Sequence, residues 1–554
     1  MFSIKGSKNV EVSSQQPSRY QTSFHSNLFP HLAQHLLIIY NVATNRAVFN
    51  MDCTHDKDLQ LFYLSALFGA VNDSCRKMHN VTYSSGDSRR DRILSPFQSF
   101  LCKLAQVCDT EKGGDTVTAL VALKAANGPG YLFASNNRKE QELESTRKFL
   151  GALLNFVGRK PENLTEKTLK KQVLGRILEF NFSRVGFYLK RILAFVGKCI
   201  ASSHSLATHG GPEIVARLRL IEANATFPHD MPSDTSARLK FLKDCVSLIK
   251  TIQDAMAPGS GFILAMNEGA GADDPDTSYA WCQLRHHLGR LYSYRQAADS
   301  IVAAHKERPE LFTGFTVGHI PSSRPRKLSL PKESLSLEDV ILVAFPDRNV
   351  MAYNSQIEQL RDYGLDDHIR ERLEQKPVRQ TVHCEVHLQD FLVRGKMVEP
   401  HDYWDNDMFI ATSKPPCRLC EYYFDDLEHD FAVQSPHMNV YPKWRLPDVY
   451  EGQDGGAVMR REELLDVIIG HMQQDTLRVV EKHHPEWKRN DSRTESWVGE
   501  SRQGERSDTR TSGRFPSASG TGGQGMEAER RGFPFQMQMP VEVENEYVCV
   551  GSAS

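Results

Sequence analysis

A histidine and two cysteines in the second half of the chain carry the most specific chemical signal. His383 precedes Cys417 by 34 residues, and Cys420 follows three residues later. A catalytic zinc site takes three ligands from the protein, commonly histidine and cysteine, and keeps a fourth position for water. Because residues three apart share one face of a helix, Cys417 and Cys420 can bind the same ion. The spacing therefore predicts a zinc site formed by His383, Cys417 and Cys420.

A helix is expected to begin at the two cysteines. Pro416 immediately precedes Cys417, and proline suits the first turn of a helix, where its missing N–H costs nothing. The positive end of a helix also favours the thiolate form of cysteine, which is the form that metals bind. The predicted helix start thus supports metal binding by Cys417 and Cys420.

Glu385 adds a group that could move protons. It lies two residues after His383, where it could face the ion without binding it. Zinc lowers the pKa of a bound water to roughly 7, so a nearby carboxylate can accept that proton and pass it on. Glu385 is therefore the candidate catalytic residue.

Other interpretations of the same residues stay open. Neighbouring cysteines can be ordinary small core residues, and Cys384 is expected to pack in this way. A purely structural zinc site would need a fourth protein ligand, for which His387, His401 and His429 are candidates. The order His-x-Glu-x-His differs from the His-Glu-x-x-His of zinc proteases, so a protease is set aside.

The combined motif resembles a known signature. His383-x-Glu385 followed by Pro416-Cys417-x-x-Cys420 is similar to the motif of the zinc-dependent cytidine deaminase-like superfamily, in which an activated water attacks the amine-bearing carbon of a base. The resemblance implies that His383, Cys417 and Cys420 are zinc ligands and that Glu385 is the catalytic proton shuttle. It also implies a base-containing substrate: a nucleoside, a nucleotide or single-stranded nucleic acid.

Two further segments resemble a lineage-expanded fungal family of deaminase-like proteins. Trp281–Leu291 is similar to a segment upstream of the zinc motif in that family, and Tyr441-Pro442-Lys443-Trp444 is similar in placement to its Tyr-Pro-x-Trp. Tyr441 and Trp444 could stack on a base. They could also pack against the sheet, which is the interpretation that we favour.

Several basic side chains allow either phosphate binding or an ordinary polar surface. A helix face rich in arginine and histidine is usually solvated or internally paired, and this is the favoured interpretation for the first group below. Two more basic residues flank the cysteines and could meet a phosphate or be exposed. These residues are Arg285, His286, His287 and Arg290 in the first group, and Lys414 and Arg418 beside the cysteines.

Composition and charge limit the class of protein. The 554 residues are enough for two or three domains, and 40% hydrophobic with 25% charged residues is typical of a globular chain. A net charge of −2, from 67 basic and 69 acidic residues, gives no overall attraction to nucleic acid or membrane. Eleven irregularly spaced cysteines argue against a disulfide framework. With no secretory signal and no membrane-spanning run, a cytoplasmic or nuclear location is expected.

The pattern along the chain predicts an α+β protein. Residues 1–27 and 485–554 are too polar to bury a core and are expected to be disordered. Residues 28–320 predict an α-helical domain of unassigned role, and residues 321–334 a linker. Residues 335–482 predict the zinc-dependent deaminase-like domain, for which the resemblance implies three α/β/α layers with a mixed sheet.

Short strands and helices are expected to alternate in the second domain. A β-branched apolar run predicts a first strand, and a strand is expected before each half of the zinc motif. The predicted strands are 340–345, 376–382, 407–413 and 439–441, and the predicted helices are 357–373, His383 to about Leu392, the segment from Cys417, and 459–482.

Together these features predict a zinc-dependent hydrolytic deaminase that acts on a nucleobase. The main alternative is a non-catalytic interaction protein that is stabilised by zinc and has a deaminase-like fold. Another zinc hydrolase is a third interpretation.

Overall fold

A mixed sheet of five strands positions the two segments that carry the candidate site. The computed structural model describes residues 53–79, 92–160, 164–206, 211–228, 234–330, 335–346, 350–374, 378–426, 430–450 and 453–485. All of them belong to one compact unit. The segments predicted to be disordered, 1–27 and all but the first residue of 485–554, lie outside the described residues.

The helices and strands are numbered in chain order. The helices are α1 (Cys53–Met78), α2 (Pro96–Cys108), α3 (Glu140–Gly158), α4 (Glu166–Phe180), α5 (Phe182–Ser202), α6 (Pro212–Ala225), α7 (Thr235–Ala255), α8 (Phe262–Ala270), α9 (Pro275–Glu307), α10 (Leu337–Ala344), α11 (Asn354–Arg361), α12 (Leu365–Leu373), α13 (Cys384–Arg394), α14 (Arg418–Asp425) and α15 (Ala457–Lys482). The strands are β1 (Thr118–Ala125), β2 (Gly128–Ser135), β3 (Thr316–His319), β4 (Arg326–Lys327), β5 (Arg379–Gln380), β6 (Phe409–Thr412) and β7 (Ala432–Val433).

The large sheet has the strand order β3-β2-β1-β6-β7. β1 pairs antiparallel with β2 and with β6, whereas β2–β3 and β6–β7 are parallel pairs. β4 and β5 form a separate antiparallel pair. The sheet is therefore mixed, as predicted.

Both faces of the sheet are covered by helices. Side chains alternate between the two faces of a strand, so Leu120 and Ala122 of β1 join one hydrophobic cluster while Ala119 and Val121 join another. The first cluster contains residues of α2 to α9, and the second contains residues of α1 and α10 to α15. The predicted α+β class and the three-layer arrangement are confirmed.

The sheet contains strands from both sides of the predicted linker. β1, β2 and β3 precede residue 321, and β6 and β7 follow residue 334. Within residues 321–334, β4 pairs with β5. The division into a domain of 28–320 and one of 335–482 stays a prediction.

Two strands interrupt the stretch that was expected to be all helical. β1 and β2 form a hairpin in which Ala125 lies opposite Gly128. Ala126 and Asn127 are therefore the two residues of the turn. The pairing of β1 with β6, almost three hundred residues away, completes the burial of both strands.

The predicted strand at 340–345 is wrong, because this segment is helix α10. Ser336 and Asp339 form a reciprocal capping box at its start, and such a box satisfies the free N–H groups of the first turn. Val340 and Ala344 then fall on one buried face. A short apolar run fits a strand or a helix equally well, and here the cap decides.

Close contacts set other boundaries of the fold. Asn181 separates α4 from α5, and its buried side chain donates to the carbonyl oxygens of Val107 and Ile177. In α8, a Cβ at Gly269 would lie 2.4 Å from the ring of Trp281. The strand expected at 439–441 is absent from the described residues there, and β7 lies earlier in the chain.

In the part of the chain that the structure describes, no helix is both long and apolar enough to cross a membrane.

Candidate metal centre and active site

The candidate site forms where two helices begin beside each other. His383 is the N-cap of α13 and Cys417 is the N-cap of α14, both with extended backbone. α13 follows β5, and α14 follows β6 after the turn at 413–416. The two predicted helix starts are confirmed, and Cys420 falls in the first turn of α14, where the helix dipole favours thiolate.

The structure brings His383, Cys417 and Cys420 together. The Nδ1 atom of His383 lies 3.5 Å from Sγ of Cys417 and 3.3 Å from Sγ of Cys420, and the two sulfur atoms are 3.5 Å apart. Zinc–sulfur bonds of about 2.3 Å and zinc–nitrogen bonds of about 2.0 Å in a tetrahedron separate two sulfurs by about 3.8 Å and sulfur from nitrogen by about 3.5 Å. The donor set therefore fits zinc in identity and in spacing.

A fourth protein ligand is not found in the described part of the chain. The Nε2 atom of His387 lies 2.9 Å from the carbonyl oxygen of Pro321, so this ring hydrogen-bonds away from the cysteines. His401 is exposed and lies 3.8 Å from Asp402. His429 lies outside the described residues. Among the described residues, three donors form the group that could hold a metal ion, as in an open rather than a closed zinc site.

The ionisation of Cys417 is consistent with metal binding. Burial opposes a charge on Cys417, but Cys420 and His383 lower the pKa of the Cys417 thiol well below its usual value. Burial likewise lowers the pKa of His383, yet the adjacent Cys417 raises it above its ordinary value. A thiolate at Cys417 is therefore favoured even without metal, and thiolate is the form that binds zinc.

Glu385 lies at the edge of the cluster without joining it. Its side chain is buried, and Oε1 is 4.0 Å from Nδ1 of His383. The other oxygen, Oε2, accepts a hydrogen bond of 3.3 Å from the thiol of Cys384. Burial raises the pKa of Cys384 well above its ordinary value, so this neighbour stays a neutral donor. Oε1 is thus left facing the side where the three donors meet.

Two residues that support the ligands were not predicted to do so. Asn136, at the end of β2, accepts a hydrogen bond of 2.7 Å from the backbone N–H of Cys384 and fixes the first turn of α13. The indole N–H of Trp444 donates to Sγ of Cys420 at 3.2 Å. No sequence signal identifies Asn136, whereas Trp444 belongs to the Tyr-Pro-Lys-Trp segment.

The aromatic and basic residues near the motif separate into different roles. Trp444 is 1% exposed, so it packs in the core, as favoured from the sequence. Tyr441 is half-buried, and its ring meets that of His383 edge-on at 5.9 Å. Arg418 is buried in an ion pair with Asp475 and is not available to a phosphate. Lys414 donates to the carbonyl oxygen of Gly113 at 2.8 Å.

Comparison with protein families agrees with this part of the structure. Residues 382–448 match a family model described as "OTT_1508_deam:-like deaminase". The matched segment contains His383, Glu385, Cys417, Cys420 and Trp444, so it covers the whole cluster. This region of the chain is deaminase-like, and a deaminase family implies a base-containing substrate. Searches of curated proteins and of solved structures found no match.

Proposed function

We propose that the chain is a zinc-dependent hydrolytic deaminase that converts an amine-bearing nucleobase carbon into a carbonyl and releases ammonia. One observation carries the proposal: three zinc-type donors and a non-ligand glutamate meet at two helix starts within the deaminase-like segment. We assign His383, Cys417 and Cys420 as metal ligands and Glu385 as the catalytic residue. Zinc at these donors would supply a Lewis acid that acidifies water at neutral pH.

The chain's own residues account for the proton movements. Oε1 of Glu385 accepts one proton from the attacking water and delivers it to the ring nitrogen. It then accepts the remaining hydroxyl proton and delivers it to the amine, which departs as ammonia while the carbonyl forms. The hydrogen bond from Cys384 to Oε2 leaves Oε1 as the oxygen that carries the proton. Because Glu385 is buried, bulk water competes little for this proton.

The surroundings of His383 suggest where the base lies. The half-buried ring of Tyr441 meets His383 edge-on, and His437 meets Tyr441 on another side at 5.7 Å. We propose that Tyr441 forms one wall of the base pocket, because aromatic faces bind bases by stacking. Cytosine and adenine both carry the required amine.

The expected compartment is the cytoplasm or the nucleus. This proposed location rests on the irregular, wide spacing of the cysteines along the chain.

An ammonia-release assay tests the proposed reaction. Free bases, nucleosides, nucleotides and single-stranded oligonucleotides that contain cytosine or adenine are incubated with wild type and with Glu385→Gln. Wild type is expected to release ammonia from at least one class, and Glu385→Gln to lower kcat by about 10²- to 10⁴-fold with unchanged zinc content. Glu371→Gln, an exposed glutamate on α12, is the matched control.

Two outcomes would contradict the proposal. Zinc-loaded wild type with no turnover across the four classes would favour the non-catalytic, zinc-stabilised alternative. Full activity in Glu385→Gln would remove Glu385 from the catalytic role.

A further inference from the structure

A second cluster of polar side chains lies between α5, α9 and the loop after α2. We call Lys112, Arg191, His287 and Arg290 the basic cluster. Arg191 belongs to α5, His287 and Arg290 belong to α9, and Lys112 lies in the loop 109–116. His287 is within electrostatic reach of the three cationic residues. The deaminase motif does not use any of these four residues.

His287 is buried without a hydrogen-bond partner. The residue is 4% exposed, and among the described residues neither Nδ1 nor Nε2 has a partner. A buried polar group without a partner costs about 1–3 kcal/mol, so such a group in a native fold indicates a missing ligand or water. Burial, followed by the nearby cations, lowers the pKa of His287 to about 3. The ring is therefore neutral and can donate one N–H to an acceptor.

Aromatic rings hold the cluster in place. The ring of Phe187 meets His287 edge-on at 5.8 Å and lies 4.5 Å from the Lys112 ammonium. Phe195 stacks on His287 at 6.3 Å and lies 4.6 Å from the guanidinium of Arg191. Such cation–π contacts orient the cations without neutralising them. The rings therefore hold the cationic groups of Lys112 and Arg191 in position but do not neutralise their charge.

Carboxylates do not balance this charge within the described structure. Arg184 on α5 is paired with the buried Asp109, but no described carboxylate forms an ion pair with a residue of the basic cluster. Arg290 is 4% exposed, and its Nε donates to the hydroxyl of Tyr188 at 3.3 Å. Burial raises the pKa of Tyr188, yet Arg290 and Arg184 bring it below its ordinary value.

We propose that the basic cluster binds a phosphate group. Phosphate offers several acceptor oxygens and negative charge, and guanidinium groups bind it through paired, charge-assisted hydrogen bonds. Arg290 and Arg191 supply the guanidinium donors, Lys112 supplies an ammonium, and His287 supplies a neutral N–H.

One loop contacts both the basic cluster and the metal centre. Lys112 precedes Gly113, whose carbonyl oxygen accepts a hydrogen bond of 2.8 Å from Lys414. Lys414 lies three residues before the ligand Cys417. A phosphate that orders Lys112 would therefore also order the segment that leads into α14.

Titration of inorganic phosphate into the full-length protein tests the site directly. Isothermal titration calorimetry is expected to detect binding to wild type and an at least tenfold weaker binding to Arg191→Gln, because a charge-assisted hydrogen bond is lost. Arg219→Gln removes the same charge from the exposed face of α6 and is expected to bind as wild type does. Arg290→Lys keeps the charge of a buried residue and loses the paired donors, so a selective loss of phosphate affinity is expected there too.

Absence of phosphate binding to wild type, or equal affinity in wild type and Arg191→Gln, would overturn the inference. Circular dichroism and the Tm of each variant identify one that has not folded. For an unfolded variant, Lys112→Gln replaces it, because Lys112 is exposed. The same criterion then applies to Lys112→Gln.

The titrations are also made in Glu385→Gln, so binding is measured independently of turnover. Phosphate binding at the cluster with no deaminase activity in wild type would reject the proposed function and keep the anion site. Deamination without phosphate binding would reject the anion site and keep the proposed function. Two further ligands identify the kind of phosphate: a nucleoside monophosphate carries a phosphomonoester, and an oligonucleotide without terminal phosphates carries only backbone phosphodiesters. The ligand whose affinity falls in Arg191→Gln is the one that occupies the basic cluster.

Discussion

The hydrogen bond from Trp444 to Cys420 gives a quantitative prediction about the metal centre. The indole N–H lies 3.2 Å from Sγ of Cys420, and Trp444 is 1% exposed. Trp444→Phe removes this donor and leaves the thiolate without it. A hydrogen bond to a charged group contributes about 1.5–3 kcal/mol, and loss of a residue that supports a metal ligand typically weakens metal binding 10- to 100-fold. We therefore expect the Kd for zinc to rise by about 10- to 100-fold.

The control must separate lost metal affinity from lost packing. Trp281 is also fully buried, and its indole N–H donates to Ser202 at 3.0 Å, on a helix that carries no metal ligand. Trp281→Phe should lower the Tm through the same change in side-chain volume but leave zinc affinity unchanged. Competition with a chromophoric chelator at fixed pH measures the Kd in both variants.

The reasoning would be refuted by a Trp444→Phe protein that binds zinc as tightly as wild type while its Tm falls as much as that of Trp281→Phe. Trp444 would then be a packing residue whose contact with Cys420 has no effect on the metal.

Two further predictions concern buried ion pairs. Asp475→Asn leaves Arg418 buried without its counter-ion, so the free energy of unfolding, measured by urea denaturation, should fall by about 3–5 kcal/mol. The control, Asp454→Asn at an exposed residue, should have nearly the wild-type free energy of unfolding. Equal losses in the two variants would contradict the reasoning. Asp109 has a lowered pKa, because the nearby Arg184 outweighs the effect of burial. The unfolded chain therefore takes up this proton first as the pH falls, so this contribution to stability is complete above the unfolded pKa of about 3.9 and is lost below it. In a plot of Tm against pH, Asp109→Asn should therefore show a smaller fall in Tm at acid pH than wild type. An unchanged fall would show that the Asp109–Arg184 ion pair does not cause it.

The local parts of the site could be predicted from the sequence. His383, Cys417 and Cys420 are predicted from residue type and spacing, and Pro416 with the three-residue interval predicts the start of α14 correctly. These features depend on contacts within one or two turns of helix. The same local reasoning predicts the amphipathic helix α15.

The parts that depend on distant contacts could not be predicted. Asn136 reaches Cys384 across 248 residues, and β1 is recognisable as a central strand only from its pairing with β2 and β6. The predicted strand at 340–345 is wrong, because the capping box at Ser336 begins helix α10 there. His287 and Arg290 show the reverse case. Their sequence pattern favoured a solvated or internally paired face, and both are buried.

The most direct measurement of the central claim is the zinc content of the purified full-length protein by inductively coupled plasma mass spectrometry. Protein prepared without chelator should contain one zinc per chain, and Cys417→Ser should contain little. Cys245→Ser replaces an equally buried cysteine on α7, outside the cluster, and should keep its zinc. Zinc-free wild type, or equal zinc in the two cysteine variants, would contradict the assignment of His383, Cys417 and Cys420 as a metal centre.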